Sequence, residues 1–348
     1  MRAPRPKLGR VGGWLAFGAL IAVPLFGLPH AHGEQPFEVG WIAFDSNRTG
    51  NFEIFLMKPD GTRQLQLTRD PVYDSFWPKP APDGKTILFV RAPAGIHDTD
   101  YSKVTTWIMS SDGSGVRQIL PLGVYGWSIQ GHPEWKPDGT KIATIGGASY
   151  NSQIYILNPD GSNPVRVTNN GSGGARGGTN IDPSWHPDGK SLLFIGCPIS
   201  FCVASSHEVF RINIDGSGET RLIHDQVADY DPYYSPWARQ IAWLRNITGA
   251  RWGIYRMRPD GSGQQPVIDD GGINSKPAWS HDGSEILFHR IPPNAPIGSR
   301  FNIWKITPEG KDLTEIINPR PSYVNEFPEA RRTGEVIGAR GEKLYNDK

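Results

Sequence analysis

Several side chains able to bind a ligand stand at one recurring place in the sequence. The residue before the proline of each Pro-x-Trp-like phrase varies from copy to copy, and the set is Trp77, His132, Asp182, Asp231, Lys276 and Phe327. Imidazoles and carboxylates act as general acids and bases, and carboxylates suit hard cations such as calcium. His132, Asp182 and Asp231 are therefore candidate ligands of a divalent cation such as calcium, the one cofactor that the sequence indicates.

We extend the predicted ligand-binding set to polar residues close by in the sequence. The full set is Asp74, Trp77, His132, Asp182, Asp231, Lys276 and Glu326. A second interpretation stays open, in which these side chains cap turns or hold internal water. The choice between the two depends on the elements that position the residues.

Those elements are short strands of a repeated unit. A hydrophobic strand that ends in an Asp-Gly or Glu-Gly turn recurs roughly every 50 residues. The acidic turn residues are Asp60, Asp112, Asp160, Asp215, Asp260 and Glu309. Six copies at so regular a spacing indicate a solenoid, a propeller or another array of repeats.

A second phrase, Pro-x-Trp-x-Pro-Asp-Gly followed by an apolar run, is interleaved with the first. Clear copies begin at Pro133, Pro183 and Pro277. Weaker copies begin at Pro78, Pro232 and Pro328. Together the two phrases define four short antiparallel strands, a to d, joined mostly by tight turns. One such sheet cannot bury both of its faces alone, so we predict an all-β fold, a six-bladed β-propeller with four-stranded antiparallel blades.

The two ends of the repeated region predict how the ring closes. The first unit starts directly at a strand b, residues 39–44, and the last strand-a phrase stands at residues 325–331. We therefore expect the N-terminal and C-terminal strands to pair and complete one blade, which hides sheet edges. Residues 334–340 form a competing strand b that either adds an outer strand or displaces the first.

The two sequence motifs together resemble the repeat of a known family. Residues 42–61, IAFDSNRTGNFEIFLMKPDG, together with the Pro-x-Trp-x-Pro-Asp-Gly phrase resemble the TolB-type propeller repeat, also called the WD40-like or PD40 repeat. The resemblance covers residues 39–340 and implies a propeller. TolB itself belongs to the Tol-Pal envelope system and carries an N-terminal α/β domain, which we do not expect here. Related propellers occur in oligopeptidases and oligogalacturonate lyases.

The N-terminal residues have the pattern of a Sec-type signal peptide. Four basic residues precede an apolar run at residues 14–28, and Ala31-His32-Gly33 offers small residues at the cleavage site. We predict a signal peptide at residues 1–33 and a single propeller domain at 34–348. An uncleaved anchor is the alternative, although the run is shorter than the ~20 apolar residues of a spanning helix. A periplasmic or secreted location in a bacterium follows.

The two cysteines, Cys197 and Cys202, fall in one loop between strands b and c. An exported chain meets an oxidising compartment, so we predict a local structural disulfide between them. A free pair or a metal-binding pair is the alternative, although C-x4-C without a second pair is a poor zinc signature.

Composition and charge narrow the class of partner. The chain has 41 Gly, 31 Pro and 12 Trp in 348 residues, which suits many short strands and hairpins. A formal net charge of +1 favours neither nucleic acid nor an anionic membrane surface as the partner. We expect a monomer with no stable membrane insertion once the signal peptide is removed.

Sequence signatures of catalysis are largely missing. The chain contains no G-x-S-x-G elbow and no H-E-x-x-H motif. The long loops between strands b and c and the crossovers from d to a should share one face, where binding residues usually lie. We therefore predict an exported binding or scaffold module for an envelope protein or glycan, rather than an enzyme. The alternative is a polysaccharide lyase or glycosidase with its site at the channel mouth, using His97, His132 and His207, or Asp182 with Asp231.

Overall fold

Short antiparallel strands make up nearly all of the regular structure. The computed structural model describes residues 40–97, 99–149, 151–169, 178–197, 207–225, 227–248, 251–296, 299, 301–317, 325–326 and 336–338. The helical segments in this part of the chain are two 3-10 turns, at Tyr101–Lys103 and Val124–Gly126. None of the helices searched there is long and apolar enough to cross a membrane.

Three consecutive sheets contain four antiparallel strands each. The first holds β4 (Tyr73–Pro80), β5 (Thr86–Pro93), β6 (Thr105–Ser110) and β7 (Arg117–Leu120). The second holds β8 (Ile129–Trp135), β9 (Ile142–Ala148), β10 (Asn151–Leu157) and β11 (Val165–Arg166). The third holds β12 (Asn180–Trp185), β13 (Ser191–Gly196), β14 (Glu208–Asn213) and β15 (Thr220–Arg221).

The remaining strands form two larger sheets. The first three strands of the described chain are β1 (Trp41–Ser46), β2 (Glu53–Met57) and β3 (Leu65–Gln66), and they share a sheet with β24 (Asn325–Glu326) and β25 (Val336–Gly338). The eight-stranded sheet holds β16 (Asp229–Tyr234), β17 (Ile241–Thr248), β18 (Arg251–Met257), β19 (Gln265–Ile268), β20 (Ile273–Trp279), β21 (Ile286–Ile291), β22 (Asn302–Ile306) and β23 (Thr314–Ile317).

The all-β propeller is confirmed. The strand pairing, however, does not give the six separate sheets that six blades would form. Hydrogen bonding divides the described strands into five sheets. The eight-stranded sheet consists of two meanders, and a single parallel pair between Trp252 and Ile273 joins them. The sequence pattern could not show this pairing, because it depends on how closely two neighbouring units approach.

The ends of the chain meet on one strand, as predicted. One edge of β1 pairs with β2, so its other edge must carry both late strands. There β24 pairs antiparallel with Asp45 and Ser46, and β25 pairs parallel with residues 41–43. The β25 strand neither displaces β1 nor adds an outer strand, because it takes the part of the inner edge that β24 leaves uncovered.

Neighbouring sheets are held together by repeated contacts. The three described indoles of the Pro-x-Trp phrase each donate to a backbone carbonyl of the preceding strand a. The Nε1 of Trp135 donates to Lys79 at 3.0 Å, that of Trp185 to Glu134 at 3.2 Å, and that of Trp279 to Tyr233 at 3.1 Å. These indoles therefore help to fix the position of each strand a against the preceding one.

Turn glycines make a second repeated contact. The glycine after each c strand lies against a backbone carbonyl near strand d of the preceding unit, so close that an added Cβ would come within 3.0 Å. The glycines are Gly61, Gly113, Gly161, Gly216, Gly261 and Gly310, and their partners are Ile316, Leu67, Ile119, Val167, Leu222 and Val267. The contact between Gly61 and Ile316 joins the last repeat to the first, and Ile42, Phe44, Leu287 and Ile303 form a shared core there.

We predict that the close contact of these glycines makes them more sensitive to substitution than other left-handed glycines. Gly113 has φ +85° and an added Cβ would lie 2.8 Å from the Leu67 carbonyl oxygen, whereas Gly95 has φ +84° and open space around it. Gly95→Ala should cost about 1 kcal/mol for its backbone conformation alone. Gly113→Ala should lower the free energy of unfolding by roughly 2 to 4 kcal/mol, because overpacking is added. Equal losses in urea unfolding would contradict the packing role.

A second prediction concerns acid stability. Burial by itself raises the pKa of Asp138. Hydrogen bonds from Lys136 and Thr140 outweigh burial and lower this pKa to about 2. The ordinary pKa is about 3.9, so this carboxylate stabilises the fold above that pH, and the stabilisation is lost as pH falls towards the folded pKa. We expect Asp138→Asn to melt below the wild type at pH 5 and to match it near pH 2. A constant difference across this range would contradict the prediction.

Candidate functional site

The residues before the strand-a prolines share one backbone conformation. Proline has no N–H to give to the ladder, and each innermost strand accommodates it with a bulge of one extra residue. The residue before the proline then has a positive φ: 55° at Trp77, 49° at His132, 51° at Asp182, 49° at Asp231 and 53° at Lys276. Few residues other than glycine adopt this conformation, so five in equivalent places form a built feature of the fold.

Contacts link these five residues in chain order, and we call them the channel ring. The rings of Trp77 and His132 lie 4.3 Å apart between centroids. The Nδ1 of His132 pairs with Oδ1 of Asp182. The Asp231 amide donates to Oδ2 of Asp182 at 3.4 Å, and Nζ of Lys276 lies 2.9 Å from Oδ2 of Asp231. The sequence prediction that these positions converge is therefore correct in its geometry.

Burial of the channel ring limits what it can contact. Its most exposed member, Lys276, is 3% exposed, and Trp77 and Asp231 are 0% exposed. Two carboxylates lie between an imidazole and an ammonium, and each accepts a contact from one of these groups within the ring. Such contacts are needed because an unpaired buried charge is costly.

The predicted cation site does not gather enough ligands. His132, Asp182 and Asp231 adjoin one another, but no group of three or more His, Cys, Asp or Glu side chains among the described residues is arranged to hold a metal ion. The imidazole of His132 is instead occupied on both sides, because its Nε2 lies 3.0 Å from the Tyr101 hydroxyl. Tyr101 comes from a 3-10 turn, and no pattern in the sequence pointed to it.

Two further histidines lie near the ring. The Nε2 of His97 lies 3.0 Å from Oδ2 of Asp45, and Phe76 packs against the His97 ring at 4.5 Å. His289 lies on β21, opposite Ser275. Burial, with added repulsion from Lys276 and His97, holds the pKa of His289 well below its ordinary value, so this imidazole is neutral.

The three predicted histidines do not assemble into one cluster. Phe76 and Trp77 stand between His97 and His132, each ring in contact with the next. His207 lies elsewhere, with its Nδ1 2.9 Å from the Tyr230 hydroxyl. The set that would favour a lyase is therefore dispersed.

Asp74 supports loops rather than the ring. Its Oδ1 accepts from the Phe52 amide at 2.9 Å, and its Oδ2 accepts from the amides of Gly95 at 2.8 Å and His97 at 3.3 Å. Both oxygens are therefore used to hold backbone. Asp229 supports the fold in a similar manner, because its carboxylate accepts from Arg245 and from the Trp243 indole.

Three of the predicted positions fall beyond what can be described. The backbone of Glu326 pairs opposite Asp45 in β24, while its side chain lies outside the described part of the structure. Phe327 and Cys202 also lie outside the described residues, as do residues 1–39 with the predicted signal peptide. Cys197 is buried and disulfide-bonded. Its pairing with Cys202 stays a prediction.

A second layer of polar residues follows four of the strand-a prolines, at Lys79, Glu134, Ser184 and Tyr233. Nζ of Lys79 lies 2.7 Å from Oε2 of Glu134 and donates to the Tyr233 hydroxyl at 2.9 Å. Ser184 bonds to the Pro232 carbonyl in the same layer. These residues occupy the x position of Pro-x-Trp, so the repeat register could have identified them.

A cavity of about 670 Å³ opens beyond this layer, at the ends of the sheets where strands a and b turn. Its lining includes Glu134, Ser184 and Tyr233 together with the turn residues Pro82, Pro137, Pro187 and Pro236. We call it the turn-face cavity. The sequence pattern favoured the opposite loop face, because the turns are short and uniform, and it missed this cavity.

We predict that the ion pairs of the channel ring act as a unit in stability. Asp231→Asn leaves the buried ammonium of Lys276 without its carboxylate, which should cost roughly 3 to 5 kcal/mol of unfolding free energy. Lys276→Met in the same chain should recover most of that loss, because no uncompensated charge remains. Urea unfolding of both single variants and the double variant gives the coupling energy. Strictly additive effects would show that the pair does not act together.

Comparisons with known proteins place this fold. No family model matches the chain. A TolB homologue of Chlorobium luteolum is 29% identical over 223 residues, covering 64% of this chain and 45% of the relative. The chain thus spans less than half of that relative's length. An uncharacterised protein of Agrobacterium fabrum is 32% identical over 106 residues, 30% of this chain and 36% of that one.

Solved structures of other proteins share this fold. The structure of a TolB-like protein from Agrobacterium tumefaciens superposes with a TM-score of 0.65 at 19% identity, covering 87% of this chain and 99% of the other. An oligogalacturonate lyase in complex with manganese superposes with a TM-score of 0.50 at 13% identity, covering 80% and 72%. At these identities the likeness is one of fold. The repeated phrases, the sheets that they form and the similarity to TolB homologues together support a TolB-like β-propeller fold for this chain.

Proposed function

We propose that this chain is an exported propeller that binds a protein or glycan partner of the bacterial envelope and acts as a scaffold. The observation that carries the proposal is the channel ring. Its polar groups are buried and paired with one another, His132 with Asp182 and Asp231 with Lys276. Groups committed to internal ion pairs serve rigidity better than they serve turnover. The surface left for function is that of the loops and turns.

Six blades are the number that best fits this scaffold. Six equivalent glycine contacts run from each repeat to the preceding one and return from the first to the last. In this count the eight-stranded sheet contributes two blades, joined by the single pair between Trp252 and Ile273. A closed ring leaves no exposed edge for unwanted pairing.

Export rests on the N-terminal pattern and on family resemblance. Residues 1–33 have the basic, apolar and small-residue regions of a Sec signal peptide. The TolB resemblance implies an envelope setting, and a periplasmic or secreted monomer follows from both.

The crossover between β7 and β8 is the best candidate for the partner surface. Leu122 is 55% exposed and Tyr125 is 48% exposed. Tyr125 has φ 56°, and its hydroxyl donates to the Gly161 carbonyl at 2.8 Å, so the ring is held in place rather than free to turn. Exposed aromatic residues on a rigid frame often dominate the binding energy of an interface.

A carbohydrate-active enzyme is the second candidate. The contact between His132 and Asp182, with Asp231 adjoining, is an acid and base pair in the channel. The fold is also shared with an oligogalacturonate lyase. Against it, the pair is buried and the other histidines are dispersed.

The binding proposal predicts a partner whose capture depends on the crossover. Immobilised protein should retain an envelope protein from the source bacterium, or a glycan on an array. Tyr125→Ala with Leu122→Asp should reduce this binding by about tenfold or more. Val72→Asp, at a position 59% exposed elsewhere, is the matched control and should bind normally.

The same preparation separates the two candidates. Polygalacturonate and, separately, bacterial envelope polysaccharides are incubated with the protein while ultraviolet absorbance follows unsaturated products and a reducing-end assay follows hydrolysis. Turnover that is abolished by His132→Gln would establish the enzyme. Capture that is unaffected by the crossover variants would reject the assigned surface.

A further inference from the structure

The turn-face cavity carries a departure from the repeat, in the turn between β16 and β17. We propose that this cavity is a binding site for a cationic group, an ammonium or a guanidinium, and that Trp237 is the aromatic ring that receives it. The site is on the face opposite the long loops, so the inference is independent of the proposed function.

The departure lies in the turn between β16 and β17. In the other described units this turn has an aspartate followed by a glycine with positive φ; the pairs are Asp83-Gly84, Asp138-Gly139, Asp188-Gly189 and Asp282-Gly283. Here Trp237 and Ala238 take those two places. Ala238 still adopts φ 51°, a conformation that disfavours every side chain with a Cβ. The turn therefore keeps its shape although its residues do not suit it.

A neighbouring serine replaces the lost turn chemistry. In the other turns an aspartate Oδ1 accepts the amide two residues on, as Asp188 does from Lys190 at 2.8 Å. In the divergent turn Oγ of Ser235 accepts the amides of Arg239 and Gln240, both at 3.1 Å. The residue at position 237 therefore does not have to supply the hydrogen-bond acceptor of the turn. The indole of Trp237 is 52% exposed at the rim of the cavity.

The wall of the cavity is aromatic and rigid. Trp185 and Trp279 line it with their Nε1 groups bonded to the carbonyls of Glu134 and Tyr233. Fixed indole and phenol faces lose little entropy when a ligand binds, and their π faces attract cations.

The charges of the lining favour a cation over an anion. Carboxylates come from Glu134 and Asp188, and imidazoles from His186 and His281, while no Lys or Arg is among the described lining residues. The ammonium of Lys79, which contacts the lining residues Glu134 and Tyr233, is already paired with Glu134. Burial by itself raises the pKa of Asp188. Hydrogen bonds from the Lys190 amide and His186 outweigh burial and hold this pKa below its ordinary value, so the carboxylate is ionised.

The first experiment measures binding of choline and of N-acetyl-lysine amide and N-acetyl-arginine amide by titration calorimetry on the whole mature protein. Choline tests a free organic cation, and the two amides test a basic side chain of a peptide. We expect binding of at least one probe that weakens as salt rises. An alcohol with the shape of choline but a tert-butyl group in place of its charged end should bind much more weakly. Equal binding of that alcohol, or binding of neutral sugars alone, would overturn the proposal.

Matched variants locate the site. Trp237→Ala should weaken cation binding by about tenfold. Asp188→Asn should weaken it severalfold, whereas Asp138→Asn, in the equivalent turn of the preceding sheet but outside the cavity lining, should leave it unchanged. An equal effect of the two asparagine variants would mean that turn stability is being measured, and would reject the site.

A variant with opposite effects on stability and binding keeps the test decisive. Trp237→Asp combined with Ala238→Gly restores the Asp-Gly sequence of the other turns. We expect this double variant to melt at a higher temperature than the wild type, because the strained alanine is removed, and to lose cation binding. Retained binding would overturn the role of Trp237, and lowered stability would show that the indole is needed for packing.

Discussion

The structure depends on a proline that has no amide hydrogen to give to its sheet. Wherever the structure describes it, this proline stands in the innermost strand, and one extra residue is accommodated there as a bulge. The bulge places the preceding residue at a positive φ and brings its side chain against its neighbours in the adjacent sheets. Backbone chemistry thus sets the position of the side chain without setting its type, which is why Trp77, His132 and Lys276 can occupy equivalent places.

Freedom of side-chain type is limited by burial. A charge placed in the channel ring must meet a partner from a neighbouring strand, because an unpaired buried charge costs several kcal/mol. His132 with Asp182 and Asp231 with Lys276 satisfy this condition. The second layer satisfies it again through Lys79 and Glu134. Variation among copies of the repeat, which in a loop would suggest ligand contact, here reflects complementary choices made between sheets.

The repeat register explains how far the sequence could predict the molecule. It located the strands, the convergence of the residues before proline, and the meeting of the terminal strands on β1, because these follow from local periodicity and turn chemistry. It could not anticipate Tyr101 beside His132, nor the pair between Trp252 and Ile273 that joins two meanders, because both depend on contacts distant in sequence. It also favoured the loop face, since long loops are visible in a sequence and the space enclosed by short turns is not.

A residue that breaks the repeat at a cost is more informative than one that merely varies. Asp74 and the residues of the channel ring have hydrogen bonds and ion pairs within the fold. The turn at Trp237 and Ala238 is different, because aspartate and glycine serve the same turn in the other described units. Ser235 restores the hydrogen bonds but not the strained backbone. This turn instead places an indole at the rim of the turn-face cavity, and the proposed cation site gives the strained backbone a function.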